Sequence, residues 1–433
     1  MISDKASAAR AFLIPYHLSL IIRHLGRTAS PCPRWRRAGF GAILSGKVES
    51  DPTSVAMADS SPVKIGLLLP TTGVDSAQGT DATKGFELYL GKIGNRAGGR
   101  ELRLFKEDDE AKPAVALTRL KKLVEDARVD FLIGPISSAV ALAIRDYVHD
   151  QGTPLLVPAA FTRVLTSPQQ ASPSIFRLSE TSDQANYSMG AWMMKHTRYR
   201  KMIVMAADFA GGRHSVEAFM AAFRAGGGEI VAEIYPPFDT PDFSPYLAQI
   251  GPLRADAVYA WFAGADAVNF VTQYREATIG RQLPLTGHSA LTVETILPTI
   301  GDAALGIVAV GAYSATIDSP ENRQFVRDYE AAFRAVPSRY SECGWDAAAL
   351  IATALDSLNG DLSDRGRVRD ALANALPRIK PPRGPMRFDA YRQAITPIYI
   401  TRTERQGGRI VNVVIDKIPD VSQEATWGWW NKS

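Results

Sequence analysis

Two neighbouring hydroxyl side chains, Ser137 and Ser138, close the run Gly134-Pro135-Ile136-Ser137-Ser138 between a short apolar strand and the next predicted helix. Hydroxyls beside the free N–H groups and positive dipole end of a helix are suited to binding a carboxylate. A plainer interpretation is a helix cap alone. The loop after the next strand, Ala159-Ala160-Phe161-Thr162, adds another hydroxyl and an aromatic ring. The two loops together favour a pocket for a ligand carboxylate.

The sequence carries no complete signature of catalysis. The run Gly287-His288-Ser289-Ala290-Leu291 resembles the start of a nucleophile elbow. However, Leu291 stands where a second glycine would let the helix pack beneath a strained serine. We therefore interpret Ser289 as a loop serine that lines a pocket or caps the turn, and we predict that the protein is not an enzyme.

Metal and cofactor sites are not expected either. The sequence has no GxxxxGK[ST] run for nucleotide phosphates, and the histidines of the body are not at HExxH or similar metal spacing. The acidic run Asp108-Asp109-Glu110 is compatible with a cation site, but it is more typical of a solvated turn after a strand. The sequence thus predicts no metal and no cofactor.

Charge is concentrated at the N-terminus of the chain. The 433 residues include 49 Lys and Arg and 45 Asp and Glu. Residues 1–58 hold eight of the basic and three of the acidic side chains, which leaves 41 against 42 in the remainder. A near-neutral body gives no electrostatic basis for binding nucleic acid. Cys343 is the one cysteine of that body, so an internal disulfide is not predicted there.

Residues 1–58 have the composition of a leader or an unstructured extension. A short apolar run, Ala38 to Leu44, follows Arg36-Arg37, and Ala56-Met57-Ala58 has the A-x-A form of a signal-peptidase site. The apolar segment is shorter than an export leader normally needs. The sequence therefore predicts export with an atypical leader, and an over-long start or a cytoplasmic tail remains the alternative.

From Val63 the body alternates apolar strands with amphipathic helices. Four or five such units up to Leu178 predict a parallel sheet covered on both faces. A second α/β series follows from Asp183 to Thr278. Three late helices between 321 and 376 and three strands after Met386 complete the pattern. Two α/β lobes with several chain crossings are expected.

The order of these blocks resembles the periplasmic solute-binding proteins of ABC importers, specifically the leucine/isoleucine/valine-binding family. The resemblance covers about Val63 to Ile415. Its most specific block is Val129-Asp130-Phe131-Leu132-Ile133 with the serine loop that follows, and Asp208-Phe209-Ala210-Gly211-Gly212 continues it in the second series. Each block by itself is a weak match to the family, but the order and spacing of the blocks together are specific.

The resemblance implies the type I periplasmic-binding-protein fold, with two doubly wound α/β lobes joined by three hinge crossings. The N-terminal lobe would comprise 59–179 and 315–378, and the C-terminal lobe 180–314 and 379–433. A ligand would lie in the cleft between the lobes and be trapped by hinge closure. The crossings are expected near Leu178–Thr181, Ala312–Thr316 and Pro377–Pro382.

The resemblance also implies where the ligand binds. Ser137, Ser138, Ala160 and Thr162 fall where the family holds the ligand carboxylate, Gln78 falls near a first-lobe position that packs on the ligand, and Phe209 falls where the second lobe supplies an aromatic ring. Further candidates for the pocket are Ala159, Phe161, Phe262, Ser289 and Tyr313.

One departure concerns the ligand. Amino-acid binders of this family place a Glu in the loop after the strand at Leu283–Thr286, where it pairs with the α-ammonium. That loop here reads Gly287-His288-Ser289-Ala290 and contains no acid. An unpaired buried ammonium is costly, so an α-amino acid is a doubtful ligand unless a residue such as Glu294 substitutes. Aromatic residues near the cleft resemble family members that take up aromatic acids, although aromatic residues also fill cores.

We therefore predict a periplasmic binding protein that delivers a small carboxylate, with an aromatic acid favoured, to an ABC permease. Its partners would be this ligand and the membrane permease subunits, with no nucleic acid, and the chain would be a monomer. The alternatives are a branched-chain or other amino-acid binder, a ligand sensor of the same fold and, from a different class, an α/β hydrolase.

Overall fold

The structure is a computed structural model that describes residues 61–430. All of these residues belong to the compact unit that runs from Met57 to Ser433. The expectation of a leader in residues 1–58 lies outside the described residues. None of the described helices is both long enough and apolar enough to span a membrane.

The first lobe is built on a six-stranded sheet of order β2-β3-β1-β4-β5-β6. All neighbouring strands are parallel except β2, which pairs antiparallel with β3. The strands are β1 (Val63–Leu68), β2 (Arg96–Ala97), β3 (Arg100–Glu107), β4 (Phe131–Ile133), β5 (Leu155–Val157) and β6 (Ile175–Arg177). The helices between them are α1 (Ser76–Lys92), α2 (Pro113–Lys121), which continues as a π-helical turn Lys122–Asp126, and α3 (Ser138–Gln151).

The second lobe begins after β6 with α4 (Ser182–His196). Its helices continue with α5 (Ala210–Ala225), α6 (Ser244–Leu247), α7 (Gly264–Glu276), α8 (Thr278–Gln282) and α9 (Leu297–Ile300). Its strands in this part of the chain are β7 (Lys201–Ala206), β8 (Glu229–Ile234), β9 (Ala257–Trp261), β10 (Leu285–His288) and β11 (Val308–Gly311). Short 3₁₀ turns lie at Ser289–Thr292 and Gly301–Ala304.

The chain then returns to the first lobe for three helices, α10 (Pro320–Phe333), α11 (Arg339–Ser357) and α12 (Arg365–Ala375). Helix α11 packs along α1, and the contact is close because each helix presents a glycine to the backbone of the other. A Cβ on Gly85 would lie 1.8 Å from the carbonyl oxygen of Ser341, and one on Gly344 would lie 2.0 Å from that of Ala82. These distances leave room only for glycine.

A long antiparallel hairpin completes the second lobe. After a 3₁₀ turn at Leu376–Arg378, the chain forms β12 (Arg387–Phe388), β13 (Ala394–Gln406), β14 (Arg409–Val421), a 3₁₀ turn Glu424–Thr426 and α13 (Trp427–Trp430). The second sheet has the order β12-β13-β11-β10-β9-β7-β8, and β14 pairs with β13. Sequence analysis predicted three short strands here, so the continuous length of the hairpin is a difference from expectation.

Both sheets are covered on both faces, which explains why strands such as β4, β5 and β9 are apolar throughout instead of alternating. On the first sheet, Ile65 and Phe131 face a core shared with α1, α11 and α12, whereas Leu68 and Leu132 face α2 and α3. The second sheet likewise separates two buried clusters. The two α/β lobes with mostly parallel sheets that the sequence predicts are thus confirmed.

The chain passes between the two sheets three times, and hydrogen bonds connect the three passages. After β6, the carboxylate Oε1 of Glu180 accepts from the N–H of Ala312, which follows β11, at 3.3 Å. Gln393, which precedes β13, donates from Nε2 to the carbonyl oxygen of Ser179 at 2.7 Å. The first passage is therefore bonded to both of the others.

Candidate functional site

The two loops singled out by their hydroxyls lie side by side at the carboxyl ends of β4 and β5. The N–H of Thr162 donates to Oγ of Ser138 at 3.2 Å, and the N–H of Ala160 donates to the carbonyl oxygen of Ile136 at 2.9 Å. Parallel strands bring their carboxyl ends to one edge of the sheet, where α/β proteins bind ligands. The structure therefore brings Ser138 and Thr162 together at the edge where a ligand carboxylate is expected.

Ser137 is the N-cap residue of α3, in extended conformation, and its hydroxyl makes no cap hydrogen bond. Both Ser137 and Ser138 are half-buried, whereas Thr162 is buried. The side chain of Ser137 is thus free of a capping role at the first turn of a 14-residue helix. Hydroxyls and N–H groups at such a helix start favour an anion.

Unusual backbone conformations shape both loops. Gly134 has φ +128°, and a Cβ there would lie 2.0 Å from the carbonyl oxygen of Leu68, so the position requires glycine. Ala160 has φ +59°, which is strained for a residue with a Cβ. The carbonyl oxygen of Ala160 accepts from Nη1 of the buried Arg177 at 2.9 Å, and that of Ala159 accepts from Oγ of Ser179 at 3.0 Å. These contacts hold the 159–162 loop in place.

Arg339, the first residue of α11, spans the space between the lobes. Its Nη2 lies 2.6 Å from Oε1 of Glu180, and its Nη1 donates to Oγ of Ser289 at 3.3 Å. The guanidinium also lies over the ring of Phe161, 4.2 Å from its centroid. Arg339 therefore connects the 159–162 loop of the first lobe, through Phe161, with Ser289 in the loop after β10 of the second lobe.

Glu180 and His288 determine the charge around Arg339. Burial by itself would raise the pKa of Glu180, but the positive charge of Arg339 holds it below its usual value, so the carboxylate is ionised and neutralises Arg339. Burial, assisted by Arg339, lowers the pKa of His288 to about 3. Its Nδ1 accepts from the N–H of Ala290 at 3.1 Å. At neutral pH, Arg339 and Glu180 therefore form a buried ion pair, and the imidazole of His288 beside them is uncharged.

Two aromatic side chains of the second lobe, Phe209 and Trp261, form an aromatic wall beside His288. Phe209, the N-cap residue of α5, is 37% exposed, and its ring lies edge-on to Trp261 with centroids 5.5 Å apart. The ring centroid of Trp261 is 6.4 Å from that of His288, which in turn is 5.9 Å from that of Phe161. Phe209 is thus connected through Trp261 and His288 to the first-lobe loop.

Two predicted site residues lie in the cores of the lobes instead. Phe262 is completely buried, and its ring packs against Phe243 and Phe270 at centroid distances of 5.2 and 4.5 Å. Tyr313 is buried and donates its phenolic hydrogen to Oδ1 of Asn322 at 3.0 Å. Both follow strand ends in sequence, and their side chains pack in the buried apolar clusters of the structure.

Gln78 lies in the first turn of α1, where the lobes approach one another. Its Nε2 is 3.9 Å from the position that a Cβ on Gly264 of the second lobe would occupy. Its side chain is buried, and Oε1 has no hydrogen-bond partner among residues 61–430. An unpartnered buried amide oxygen is costly unless another group donates to it. Gln78 therefore lies beside the cleft with an acceptor available.

A separate cavity of about 1020 Å³ also lies between the lobes. It is lined from the first lobe by Asp81 and Lys84 and from the second by Glu294 and Arg409, and it contains none of the predicted site residues. Its acidic and basic side chains are mixed, and Arg409 pairs with Glu330 at 2.7 Å. The hydroxyl loops, Phe209 and Trp261 are not among the residues that line this cavity.

The described residues contain no cluster of His, Cys, Asp or Glu that could hold a metal ion. The acidic run after β3 instead organises a turn, because Oδ1 of Asp108 accepts from the N–H groups of Thr71 and Glu110, both at 2.9 Å.

Sequence reasoning missed Arg339 and Glu180 as site residues. Neither lies in a motif, and each is distant in sequence from the loops that it contacts. A weak signal was available, because a helix start is an unfavourable place for a cation and Arg339 opens α11. Trp261, at the end of β9, was not predicted as a site residue either.

Comparisons with known proteins agree with this architecture. The profile of the family described as "Periplasmic binding protein" matches residues 62–409. The Leu/Ile/Val-binding protein homolog 6 of Brucella melitensis is 29% identical over 367 residues, which cover 82% of this chain and 90% of that protein.

Solved structures show the same similarity. An ABC transporter substrate-binding protein from Sphaerobacter thermophilus is 33% identical, with a TM-score of 0.80, over 83% of this chain and 99% of that one. A solute-binding protein of an ABC transporter from R. palustris, in complex with benzoate, is also 33% identical, with a TM-score of 0.76, over 83% and 98% of the two chains. The relatives thus differ in the ligands that their names give.

Proposed function

Because this chain belongs to the periplasmic binding protein family, as a solute-binding protein of an ABC transporter, we propose that its ligand is a small aromatic carboxylate. The ligand binds between the lobes, and the loaded protein delivers it to the membrane permease. The observation that carries the proposal is the 3.3 Å contact between Nη1 of Arg339 and Oγ of Ser289.

This contact places a cation where an α-amino acid would need an anion. In the amino-acid binders of the family, the loop after β10 supplies a Glu to the ligand ammonium, and here that loop presents Ser289 with a guanidinium beside it. An ammonium at this place would meet the Arg339–Glu180 ion pair and would find no uncompensated negative charge in a poorly hydrated setting. Glu180 already neutralises Arg339 at 2.6 Å, so it does not supply a free negative charge.

The remaining groups fit a flat acid. Ser138, Thr162 and the start of α3 supply hydroxyl and N–H donors for one carboxylate. The rings of Phe161, Phe209 and Trp261 provide apolar faces, which contribute about 0.5–1.5 kcal/mol for each aromatic pair beyond the area that they bury. The benzoate held by the R. palustris relative is a ligand of this class.

A branched-chain amino acid is the second candidate, because sequence relatives carry the Leu/Ile/Val-binding name. It would need an acid to replace the missing Glu, and Glu294 is the nearest along the chain. Glu294 lines the separate cavity, where Asn412 donates to it at 3.2 Å, and burial raises its pKa to about 7. A carboxyl that is half protonated at neutral pH is a poor partner for an ammonium.

We also propose that the protein is not catalytic. Ser289 has no general base arranged for it, because Nδ1 of the adjacent His288 accepts from Ala290 and its Nε2 lies 3.9 Å from Glu180. A sensor of the same fold would use the same ligand site, and the family implies an exported protein. We favour a monomer in the periplasm, reached through the leader expected in residues 1–58.

We expect the cleft to close by movement of one lobe against the other. The N-terminal lobe comprises 59–179 and 315–378, and the C-terminal lobe comprises 180–314 and 379–433. The hydrogen bonds of Glu180 and Gln393 that join the three passages support a common bending zone.

The direct test is calorimetric titration of the purified protein with benzoate and with leucine. We expect saturable benzoate binding and no heat from leucine. At 100 times its Kd, benzoate should stabilise the fold by about 2.7 kcal/mol in a thermal-shift assay. Micromolar leucine binding without a response to aromatic acids would reject the proposal.

A further inference from the structure

We propose that Arg163 is a positioning residue that clasps the second lobe to the 159–162 loop and so favours the closed cleft. Arg163 directly follows Thr162 in the first lobe, and its guanidinium reaches two helices of the second lobe. The inference goes beyond the proposed function, because it concerns how the lobes are held together and not which acid they enclose.

Three groups of the second lobe contact the guanidinium of Arg163. Its Nη2 donates to the carbonyl oxygen of His214 at 2.8 Å, and its Nε and Nη2 each lie 3.1 Å from Oδ1 of Asp183. Its Nη1 lies 3.5 Å from Oε2 of Glu217. Asp183 is in the first turn of α4, and the other two residues are on α5. Both helices pack on the second sheet, so the contact crosses from one lobe to the other.

Burial makes this contact stronger than a surface ion pair. The side chain of Arg163 is 11% exposed and that of Asp183 is 2% exposed. A buried carboxylate is costly without a cation, so Asp183 favours a position of Arg163 close to α4. The planar guanidinium presents several N–H donors in a fixed fork. One side chain can therefore bond the carboxylate on α4 and the carbonyl oxygen on α5 together.

Both ends of the clasp are connected to residues of the candidate site. In the first lobe, the hydroxyl of Thr162 accepts from the N–H of Val164 at 3.3 Å, which leaves its O–H hydrogen for a ligand carboxylate. In the second lobe, Phe209 is the N-cap residue of α5, five residues before His214. Arg163 therefore joins the loop proposed to bind the carboxylate to the helix that begins at the aromatic wall.

Opening of the cleft would break part of this contact. Asp183 closely follows the first passage between the sheets, so it stays near Arg163 when the lobes separate. The carbonyl oxygen of His214 and the carboxylate of Glu217 lie on α5 and would move away from the guanidinium. The bonds to α5 therefore stabilise the closed arrangement alone. Since apparent affinity follows the fraction of protein in the binding-competent arrangement, a weaker clasp lowers the affinity for the ligand.

The main test variant is Arg163→Lys. Lysine keeps a positive charge for Asp183 but has one nitrogen in place of the fork, so it does not bond both helices together. We expect benzoate to dissociate about tenfold faster, with association within about twofold of the natural rate. Stopped-flow tryptophan fluorescence measures both rates. Small-angle X-ray scattering should give the ligand-free variant a larger radius of gyration than the natural protein.

The matched control is Arg224→Lys. Arg224 lies on the same helix and pairs with Glu233 at 3.1 Å within the second lobe, so this change should alter neither the rates nor the scattering. If Arg163→Lys does not fold, Glu217→Gln removes the outer contact instead. The side chain of Glu217 is 41% exposed, so this variant should fold, and benzoate should dissociate from it about twofold faster.

An unchanged radius of gyration would overturn the inference, and so would an unchanged dissociation rate of bound benzoate. In either case benzoate binding would leave the proposed function intact. A lower melting temperature without these two changes would make Arg163 a structural residue and would also overturn the inference. If benzoate binds to none of the proteins, the proposed function is rejected, and the scattering of the ligand-free proteins alone decides the role of Arg163.

Discussion

Nη2 of Arg339 lies 2.6 Å from Oε1 of Glu180, and both side chains are buried where the first lobe meets the first passage between the sheets. Glu180 also accepts from the N–H of Ala312 in the second passage. The pair therefore joins the start of α11 to two of the three connections, at the base of the proposed ligand site. Loss of one partner should affect both stability and binding.

We expect Arg339→Met to lower the free energy of unfolding by about 3–5 kcal/mol, because it leaves Glu180 buried and unpaired. The double variant Arg339→Met/Glu180→Gln should recover more than half of that loss, since it removes both charges. Urea denaturation measures these values. Arg387→Met is the control, because Arg387 pairs with Asp420 at 2.7 Å on the surface and should cost less than about 1 kcal/mol. A loss that the double variant does not relieve would contradict the prediction.

Ser138→Ala should weaken binding of an aromatic acid by about 10- to 100-fold, because a hydrogen bond to a charged group contributes about 1.5–3 kcal/mol. The variant also removes the acceptor for the N–H of Thr162. Calorimetric titration with benzoate, beside Thr162→Ala and the control Ser363→Ala in an exposed turn before α12, measures the effect. Unchanged affinity in both site variants would mean that the carboxylate binds elsewhere.

Gly134→Ala should destabilise the protein by about 3 kcal/mol or more. Its φ of +128° is unfavourable for alanine, and the added Cβ would lie 2.0 Å from the carbonyl oxygen of Leu68. Gly91→Ala is the matched control, because Gly91 lies in α1 with nothing within 4 Å of a Cβ. That change should be neutral or stabilise the fold by up to about 1 kcal/mol. Thermal unfolding of the two variants distinguishes these outcomes.

Glu294 should make the stability of the protein depend on pH. Burial raises the pKa of its carboxyl from 4.5 to about 7, and the charge of Asp81 adds a smaller rise, which Asn412 opposes. The folded state thus binds a proton that the unfolded state has released, so this contribution is present below pH 4.5 and is lost as the pH rises through 7.

Glu294→Gln does not titrate, so its stability relative to the natural protein should increase from pH 5 to pH 8. We expect a gain of about 1–2 kcal/mol, less than the full shift implies because the side chain is partly exposed. Melting temperatures at the two pH values measure it. If the difference in melting temperature between the two proteins is the same at pH 5 and at pH 8, the prediction is wrong.

Much of the fold could be predicted from local patterns. The apolar run that begins at Val63 corresponds to β1. The sequence could not show that β13 and β14 form one hairpin with 13 residues in each strand. The pairing of two strands depends on contacts between them, and the pattern of residue types within one strand does not reveal those contacts.

The site was less predictable than the fold. The proximity of Ser138 and Thr162 could be predicted because a strand end followed by a hydroxyl is a local pattern. Arg339 was missed because its partners Glu180 and Ser289 are brought to it only by the folded chain. The burial of Phe262 and Tyr313 could not be predicted, since a residue after a strand can face the core as easily as the cleft.

The return of the chain to the first lobe has a consequence for biosynthesis. The six-stranded sheet is complete at Arg177, but α11, which covers one face of it, begins only at Arg339. At a synthesis rate of about 5–20 residues per second, that face stays uncovered for roughly 8–30 s. The lobe therefore cannot reach its native core while the first half of the chain emerges from the ribosome.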